Sequence, residues 1–277
     1  MALLYTRMSK ETIEIKIRSA TNLIQQVLAR HKKPVVACSF GKNSMVVLHM
    51  VRQFESNVYV LFNNTLMEYP DTYKLKKEIV AAWKLNLIET KPSKTFWWVV
   101  ENYGFPLFSR QGHRSASKNC CRYLKEYPIE KLLRQHKFDL YFTGLSRHES
   151  RLREFSAKKY GNYFYSRRFS YWKCHPILDW TNEDVWEYHK LNSIPHNSLY
   201  DNQPPIGFDL RTGCWCCTIP IKYGKLEFLR IHYPRLWRLL LKKGVGKLVL
   251  ENKLGTAISD DKIEHLIETR PCFFDKL

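Results

Sequence analysis

Val35-Val36-Ala37-Cys38-Ser39-Phe40-Gly41-Lys42-Asn43-Ser44 is followed at once by Met45-Val46-Val47-Leu48-His49. An apolar, β-branched run gives way to a small polar turn and then to a helical pattern, which predicts a strand, a tight turn and a helix amino end. Such a turn suits phosphate. Unpaired N–H groups of the first helical turn would point at the anion, Gly41 would let the backbone approach, Lys42 would add charge, and Ser39 and Ser44 would add hydroxyls. The spacing departs from the Walker pattern, which keeps four residues between its first glycine and Gly-Lys. A plain strand-turn-helix corner would carry the same local signals, so the rest of the chain has to decide.

Working outward, residues 11 to 31 place Ile13, Ile17, Ala20, Ile24, Val27 and Leu28 at helical spacing, ended by Pro34. Val58 to Phe62 is a second strand running into Asn63-Asn64-Thr65, a helix follows from about Thr72 to Lys84, and Leu85 to Thr90 is a third strand. Strand alternating with helix is the doubly wound pattern, whose ligands sit at the carboxyl ends of the strands. Ser39 and Asn64-Thr65 should therefore share one crevice. Thr143-Gly144-Leu145-Ser146-Arg147 reads as another strand end, placing Arg147 over that crevice, and Arg147, Arg151 and Arg153 suit phosphate or sulfate. Phe96 to Gly104 reads as a helix of core aromatics, and Phe108 to Lys118 as a polar, basic loop long enough to be functional. Arg151 to Lys173 is dense in charge and aromatics, which fits a nucleic-acid track. His175 to Asp184 reads as architecture: a turn, an N-cap at Thr181 and an acidic first helical turn.

The chain has 277 residues, enough for one large α/β domain with an appendage. Its 44% hydrophobic and 14% aromatic content excludes disorder and a disulfide-stapled miniature. No apolar run approaches a membrane span, so the expected location is the cytoplasm, without a membrane partner. There, eight cysteines are more readily metal ligands or catalysts than disulfides. Forty-five Lys and Arg against twenty-six Asp and Glu give +19, which points to a polyanion, with nucleic acid the first candidate.

Cys120-Cys121 and Cys214-Trp215-Cys216-Cys217 stand roughly ninety residues apart. Zinc would ask for four ligands around one ion, for which adjacent cysteines are awkward. A four-iron cubane offers each thiolate its own iron, so neighbouring cysteines can serve neighbouring corners.

The turn Ser39 to Ser44 resembles the PP-loop of ATP pyrophosphatases, usually Ser-Gly-Gly-Lys-Asp-Ser, with Phe40 for the first glycine and Asn43 for the aspartate. Asn64-Thr65-Leu66 and Pro70-Asp71-Thr72 stand where that superfamily has Asp-Thr-Gly and Pro-Glu-Thr. With Cys120-Cys121, Phe138 to Ser150 and His175 to Trp186 added, roughly residues 30 to 220 resemble the adenylyl-sulfate and phosphoadenylyl-sulfate reductases. The resemblance implies a doubly wound, mainly parallel α/β sheet of the adenine nucleotide alpha hydrolase kind. It implies nucleotide contacts at Ser39, Phe40, Gly41, Lys42, Asn43, Ser44, Asn64, Thr65, Gly144 and Arg147. It also implies a [4Fe–4S] cluster on Cys120, Cys121, Cys214 and Cys217, with Cys216 spare. The expected division is a domain over 1–220 and a basic, mainly helical extension over 221–277.

A reductase of that family carries its nucleophilic cysteine in a C-terminal Glu-Cys-Gly-x-His, whereas this chain ends Arg270-Pro271-Cys272-Phe273-Phe274-Asp275-Lys276-Leu277. Cys272 is therefore expected to be a packed terminal thiol, and residues 222 to 250 a basic helical surface for a polyphosphate chain. On these grounds the chain looks most like the sulfur-transfer ATPases of DNA phosphorothioation systems. That implies ATP and Mg2+ as cofactors, AMP and pyrophosphate as products, DNA as substrate, and a cysteine desulfurase with other modification proteins as partners. Lys42, Ser39 and Arg147 are its implied catalytic groups. The alternatives are a sulfite-forming adenylyl-sulfate or phosphoadenylyl-sulfate reductase, an ATP-dependent tRNA thiolation enzyme, and a non-enzymatic, cluster-bearing nucleic-acid-binding module.

Overall fold

Strand β1 (Pro34–Ala37) lies between two parallel neighbours, β2 (Tyr59–Asn63) on one side and β4 (Leu140–Phe142) on the other. This computed structural model describes residues 2–106, 118–167, 169–205, 210–255 and 258–275. Beyond β2 lies β3 (Asn86–Thr90); beyond β4 come β6 (Tyr171–Cys174) and the antiparallel edge strand β5 (Tyr163–Ser166), giving the order β3-β2-β1-β4-β6-β5. The chain thus leaves β1 toward one edge and returns to its other flank. The carboxyl end of β1 is the switch point where doubly wound sheets bind ligands. The expected α/β class holds.

Alternation along β1 explains why both faces are covered. Val36 points into a core with Phe40, Met45, Val47, Phe62 and Phe142, whereas Val35 packs with Leu61, Leu132, Leu133 and Tyr141. Helix α1 (Ala2–Leu28) covers the first face through Ile13, Ala20, Ile24 and Val27. It stops at Leu28, and Pro34 opens the strand, where its missing N–H is tolerated. Helix α2 (Lys42–Arg52) buries Met45 to Leu48, Met50 and Val51; at about 1.5–3 kcal/mol per large apolar side chain, that face secures the turn before it.

Helices α3 (Pro70–Ala82), α4 (Phe96–Tyr103) and α7 (Asn182–Leu191) fall where the sequence predicts them, α3 displaced by about two residues, and α5 (Tyr127–His136) leads toward β4. Thr181 caps α7 in a capping box with Asp184, as expected. Between α6 (Arg151–Tyr160) and β6 the aromatics serve the hairpin: Tyr163 stacks on Trp172 at 4.6 Å and Tyr160 on Phe164 at 4.9 Å. The expected loop 108–118 falls, up to residue 117, outside the described residues, as does Arg168.

Tertiary contacts divide the chain into two compact units. The sheet unit comprises Met1–Asn64, Pro70–Lys91 and Pro128–Asn197. The other comprises Thr65–Tyr69, Pro92–Tyr127 and Ser198–Leu277, so the expected boundary at residue 220 falls inside it. Its own core joins Phe96, Leu124, Trp215, Phe228, Trp237, Val249 and Phe274. Helices α8 (Lys225–His232), α9 (Pro234–Leu240), α10 (Gly246–Leu254) and α11 (Asp260–Thr269) supply most of it. No helix among the described residues is long and apolar enough to cross a membrane.

Candidate functional site

In the sheet unit the turn after β1 is held by Ser44. Its hydroxyl donates to the Gly41 carbonyl at 2.9 Å and accepts from the Ser39 N–H at 3.2 Å, with the Ser39 hydroxyl 3.4 Å away. Gly41 caps α2 in extended geometry, φ −92°. Phe40 takes the left-handed conformation, φ 55°, which favours glycine, and its ring is fully buried, edge-on to Phe62 at 5.5 Å. The aromatic ring at this position is core anchorage. Beneath the turn, the thiol of Cys38 is pushed up to about 11 by burial, so it is no thiolate at neutral pH.

Lys42 and Asn43 are both buried at the start of α2. The Lys42 carbonyl lies 2.9 Å from His189 Nε2, and His189 Nδ1 faces the Ile194 carbonyl at 3.2 Å, so α7 steadies the loop from behind. Asn43 Oδ1 is a buried acceptor with no hydrogen-bond partner among the described residues.

Gly144, after β4, presses on the same turn. A Cβ there would stand 2.6 Å from the Asn43 carbonyl carbon and 2.7 Å from the Ser44 nitrogen. Its neighbour Thr143 pairs through Oγ1 with His175 Nδ1 at 2.7 Å, at the carboxyl end of β6. Burial first, then Lys173 and Arg153, pull His175 down to about 4, so the ring is neutral at pH 7. Arg147 lies in the next turn, its N–H on the Leu178 carbonyl at 2.8 Å and its guanidinium paired with Asp179, while Nε is buried with no hydrogen-bond partner among the described residues.

Asn64 ends β2 on the same sheet edge as Ser39, but its amide is already engaged. Nδ2 donates to Glu89 at 2.6 Å and Oδ1 accepts from Tyr73 at 2.7 Å, with Lys76 closing on Glu89 at 2.6 Å. An aspartate here would face Glu89 with like charge, which accounts for the amide. Thr65, expected beside Ser39, belongs to the other unit and does other work there.

In that unit the Thr65 hydroxyl lies 3.3 Å from Cys214 Sγ and 2.7 Å from Glu68. Cys214 is held well below the usual thiol range, first by a hydrogen bond from Cys216 against the cost of burial, then by Lys125, Thr65 and Lys225. Cys216, fully buried, is raised by burial and by the same bond. Burial raises Cys120, and Cys121, Cys214 and Cys217 raise it further, so the four thiols feel one another. Lys125 is raised above the ordinary ammonium value chiefly by Cys214, with Glu68, Cys121 and Cys217 adding to it. Glu68 goes up to about 7 through burial and then Cys214.

Among the described residues no three His, Cys, Asp or Glu side chains converge on a single-ion site. The donor set fits a larger anionic group: four cysteines, one for each corner of a cubane, faced by the ammonium groups of Lys125 and Lys225. Sequence reasoning missed Lys125, Lys225, Glu68, Thr143, His175 and His189. Only Lys125 leaves a local signal, four residues after Cys121 in the widened helical turn Arg122–Glu126.

A family model described as phosphoadenosine phosphosulfate reductase domain matches residues 33–220. A protein named adenosine 5′-phosphosulfate reductase from Halalkalibacterium halodurans is 34% identical over 196 residues, 70% of this chain and 78% of its own length. One of the same name from Bacillus mycoides is 31% identical over 213 residues, 76% and 84% of the two lengths. Among solved structures, the phosphoadenylyl-sulfate reductase of Candida auris aligns with a TM-score of 0.55 at 20% identity, over 74% of this chain and 95% of its own. The FMN adenylyltransferase of Candida glabrata, with FMN and an ATP analogue, aligns with a TM-score of 0.52 at 13% identity, over 74% and 64%. These two likenesses speak for the fold.

The named relatives overturn the expectation of sulfur transfer to DNA, and with it DNA and a cysteine desulfurase as partners. Several cations of the basic stretch expected to face a polyphosphate chain are engaged within the chain. Arg230 is bound bidentately to Asp275, Lys242 and Lys247 pair with Glu264 and Asp260, and Lys222 and Lys243 lie over Tyr223 and Trp97. Cys272, expected to be packed, is exposed; its neighbour Phe274 is the buried one.

Proposed function

Because the chain belongs to the phosphoadenosine phosphosulfate reductase domain family, we propose that it is a sulfite-forming reductase of an adenylyl sulfate, with adenosine 5′-phosphosulfate the first substrate to test. The observation that carries this reading is the match of residues 33–220 to that family, within which the Ser39 to Ser44 turn sits at the sheet's switch point. A nucleotide sulfate takes the place of ATP, and the adenylation for which Mg2+ was expected drops out.

The substrate phosphate would lie on the amino end of α2, with the N–H groups after Gly41, the Ser39 hydroxyl and Lys42 stabilising its charge. Asn43 Oδ1, buried and unpartnered among the described residues, would accept a hydrogen bond from a nucleotide hydroxyl or amino group. Gly144 would keep the loop at its working height, and Arg147 would meet the sulfate.

Reduction then needs a thiolate outside the metal-ligand set. Of the remaining cysteines Cys38, Cys174 and Cys216 are buried and Cys272 is exposed, which favours Cys272 despite its departure from the usual tail. Its thiolate attacks the sulfate sulfur, the sulfur–oxygen bond to AMP breaks, and AMP leaves with the electron pair. A thiol of an external dithiol attacks Cys272 Sγ, sulfite departs, and the second thiol closes a disulfide, so the dithiol supplies both electrons. Cys120, Cys121, Cys214 and Cys217 would hold the [4Fe–4S] cluster. When bound, that group supplies a polarisable centre of fixed charge in this unit.

The test is sulfite release by anaerobically purified protein given adenosine 5′-phosphosulfate and dithiothreitol. Sulfite and AMP in equal amounts, both lost in Cys272→Ser, are expected. Cleavage of ATP to AMP and pyrophosphate with no sulfite from either sulfonucleotide would overturn the reading.

A further inference from the structure

Lys225 is 3% exposed, and its Nζ donates to the carbonyl oxygens of Cys214 at 3.0 Å and Cys217 at 2.8 Å. Those carbonyls belong to the two outer cysteines of the C-x-x-C turn, so one side chain spans the turn from end to end. Its only other partner among the described residues is the face of Tyr69, 6.0 Å away. No carboxylate pairs with it there.

This ammonium awaits an anion. A buried charge held only by neutral carbonyls is costly to keep out of water. Lys225 is also the first residue of α8, where the helix dipole is positive and a cation is unfavourable. Finally, the groups whose negative charge would favour the ammonium are the thiols of Cys217, Cys216 and Cys214, two of them on residues whose carbonyls it already holds. The anion is the cysteine set itself, once deprotonated by a metal centre.

We propose that Lys225 is a positioning residue for the iron–sulfur centre: it clamps the backbone of Cys214 and Cys217 in ligating geometry and supplies a buried counter-charge. This rests on the reading that the four cysteines hold a [4Fe–4S] cluster. A neutral cap of the same turn would give the clamp alone. The charge adds a second effect, favouring the more negative, reduced state of the cluster and so raising its midpoint potential.

The experiment compares the full-length chain with Lys225→Met, Lys225→Gln and Lys225→Arg after anaerobic reconstitution with iron and sulfide. Iron and acid-labile sulfide per chain, iron release to a chelator and the midpoint potential by electron paramagnetic resonance titration are read on each. Lys225→Met is expected to release iron at least ~10-fold faster, in line with the usual effect of removing a group that supports a ligand. Lys225→Gln, which keeps a donor without the charge, is expected to release iron more slowly than Lys225→Met yet share its more negative potential. Lys225→Arg is expected to stay near the parent. Equal potentials and equal release in the parent, Met and Gln chains would overturn the proposal while leaving the cluster in place. A parent chain that takes up no iron would overturn the cluster reading and this proposal together. If Lys225→Met does not fold by circular dichroism, an unchanged potential in Lys225→Gln is the result that overturns it.

Discussion

Gly144 lies against the Asn43–Ser44 peptide so closely that an added methyl group would overlap backbone on both sides of that bond. Backbone cannot swing aside as a side-chain tip can. Gly144→Ala should therefore displace the turn, costing about 1–3 kcal/mol of stability by overpacking. It should also weaken adenosine 5′-phosphosulfate binding at least ~10-fold. Thermal melting and calorimetric titration read the two effects, and an alanine variant with parental affinity would mean that the contact does not set the loop.

Phe40 sets two effects against each other. Its left-handed backbone costs about 1–2 kcal/mol, which glycine would relieve. Its buried ring is worth about 3–5 kcal/mol on truncation. Packing wins, so Phe40→Gly should lower stability by about 2–3 kcal/mol in chemical denaturation. A gain in stability would show that strain dominates.

His175 makes folding sensitive to acid. Its folded value of about 4 lies below the unfolded value of 6.5, so between these the unfolded chain binds more protons and stability falls as pH drops. The effect begins near pH 6.5 and is complete below pH 4, at most about 3 kcal/mol. His175→Asn, which can still meet Thr143, should flatten that limb of the stability curve. A parental acid limb in the variant would assign the loss to other groups.

Arg230 holds Asp275 through Nε at 2.9 Å and Nη2 at 2.6 Å, and Phe274 beside it packs edge-on to Trp237 at 6.1 Å. The last described residues are thus anchored, with Cys272 turned outward. Asp275→Ala should cost about 2 kcal/mol, the worth of a charged hydrogen-bonded pair that is partly buried. Faster hydrogen exchange over residues 271–275 is the accompanying sign. Unchanged exchange would place the anchor in Phe274 alone.

Short-range grammar was legible. The β1 turn and the N-cap at Thr181 are both written within a few residues, and each stands where it was expected. What escaped depends on partners distant in the chain. Nothing around Asn64 announces Glu89, and nothing around Cys214 announces that Lys125 and Lys225 flank it. Phe40 looked like a departure from a glycine position because its buried ring could not be read beside its backbone angle. The functional error has a different root: a net charge of +19 says that anions are favoured, not whether the anion is a polymer or a single nucleotide.

The helical unit is stitched from three separated stretches, the last of which runs to the end of the chain. A ribosome adding roughly 5–20 residues per second delivers Cys120 and Cys121 several seconds before Cys214 and Cys217. The residues that close the surrounding core, Trp237 and Phe274 among them, emerge later still. The sheet unit, complete by Asn197, can fold while this half is still being made. Two thiols are therefore left waiting during synthesis, and any metal loading that needs all four follows the appearance of Cys217.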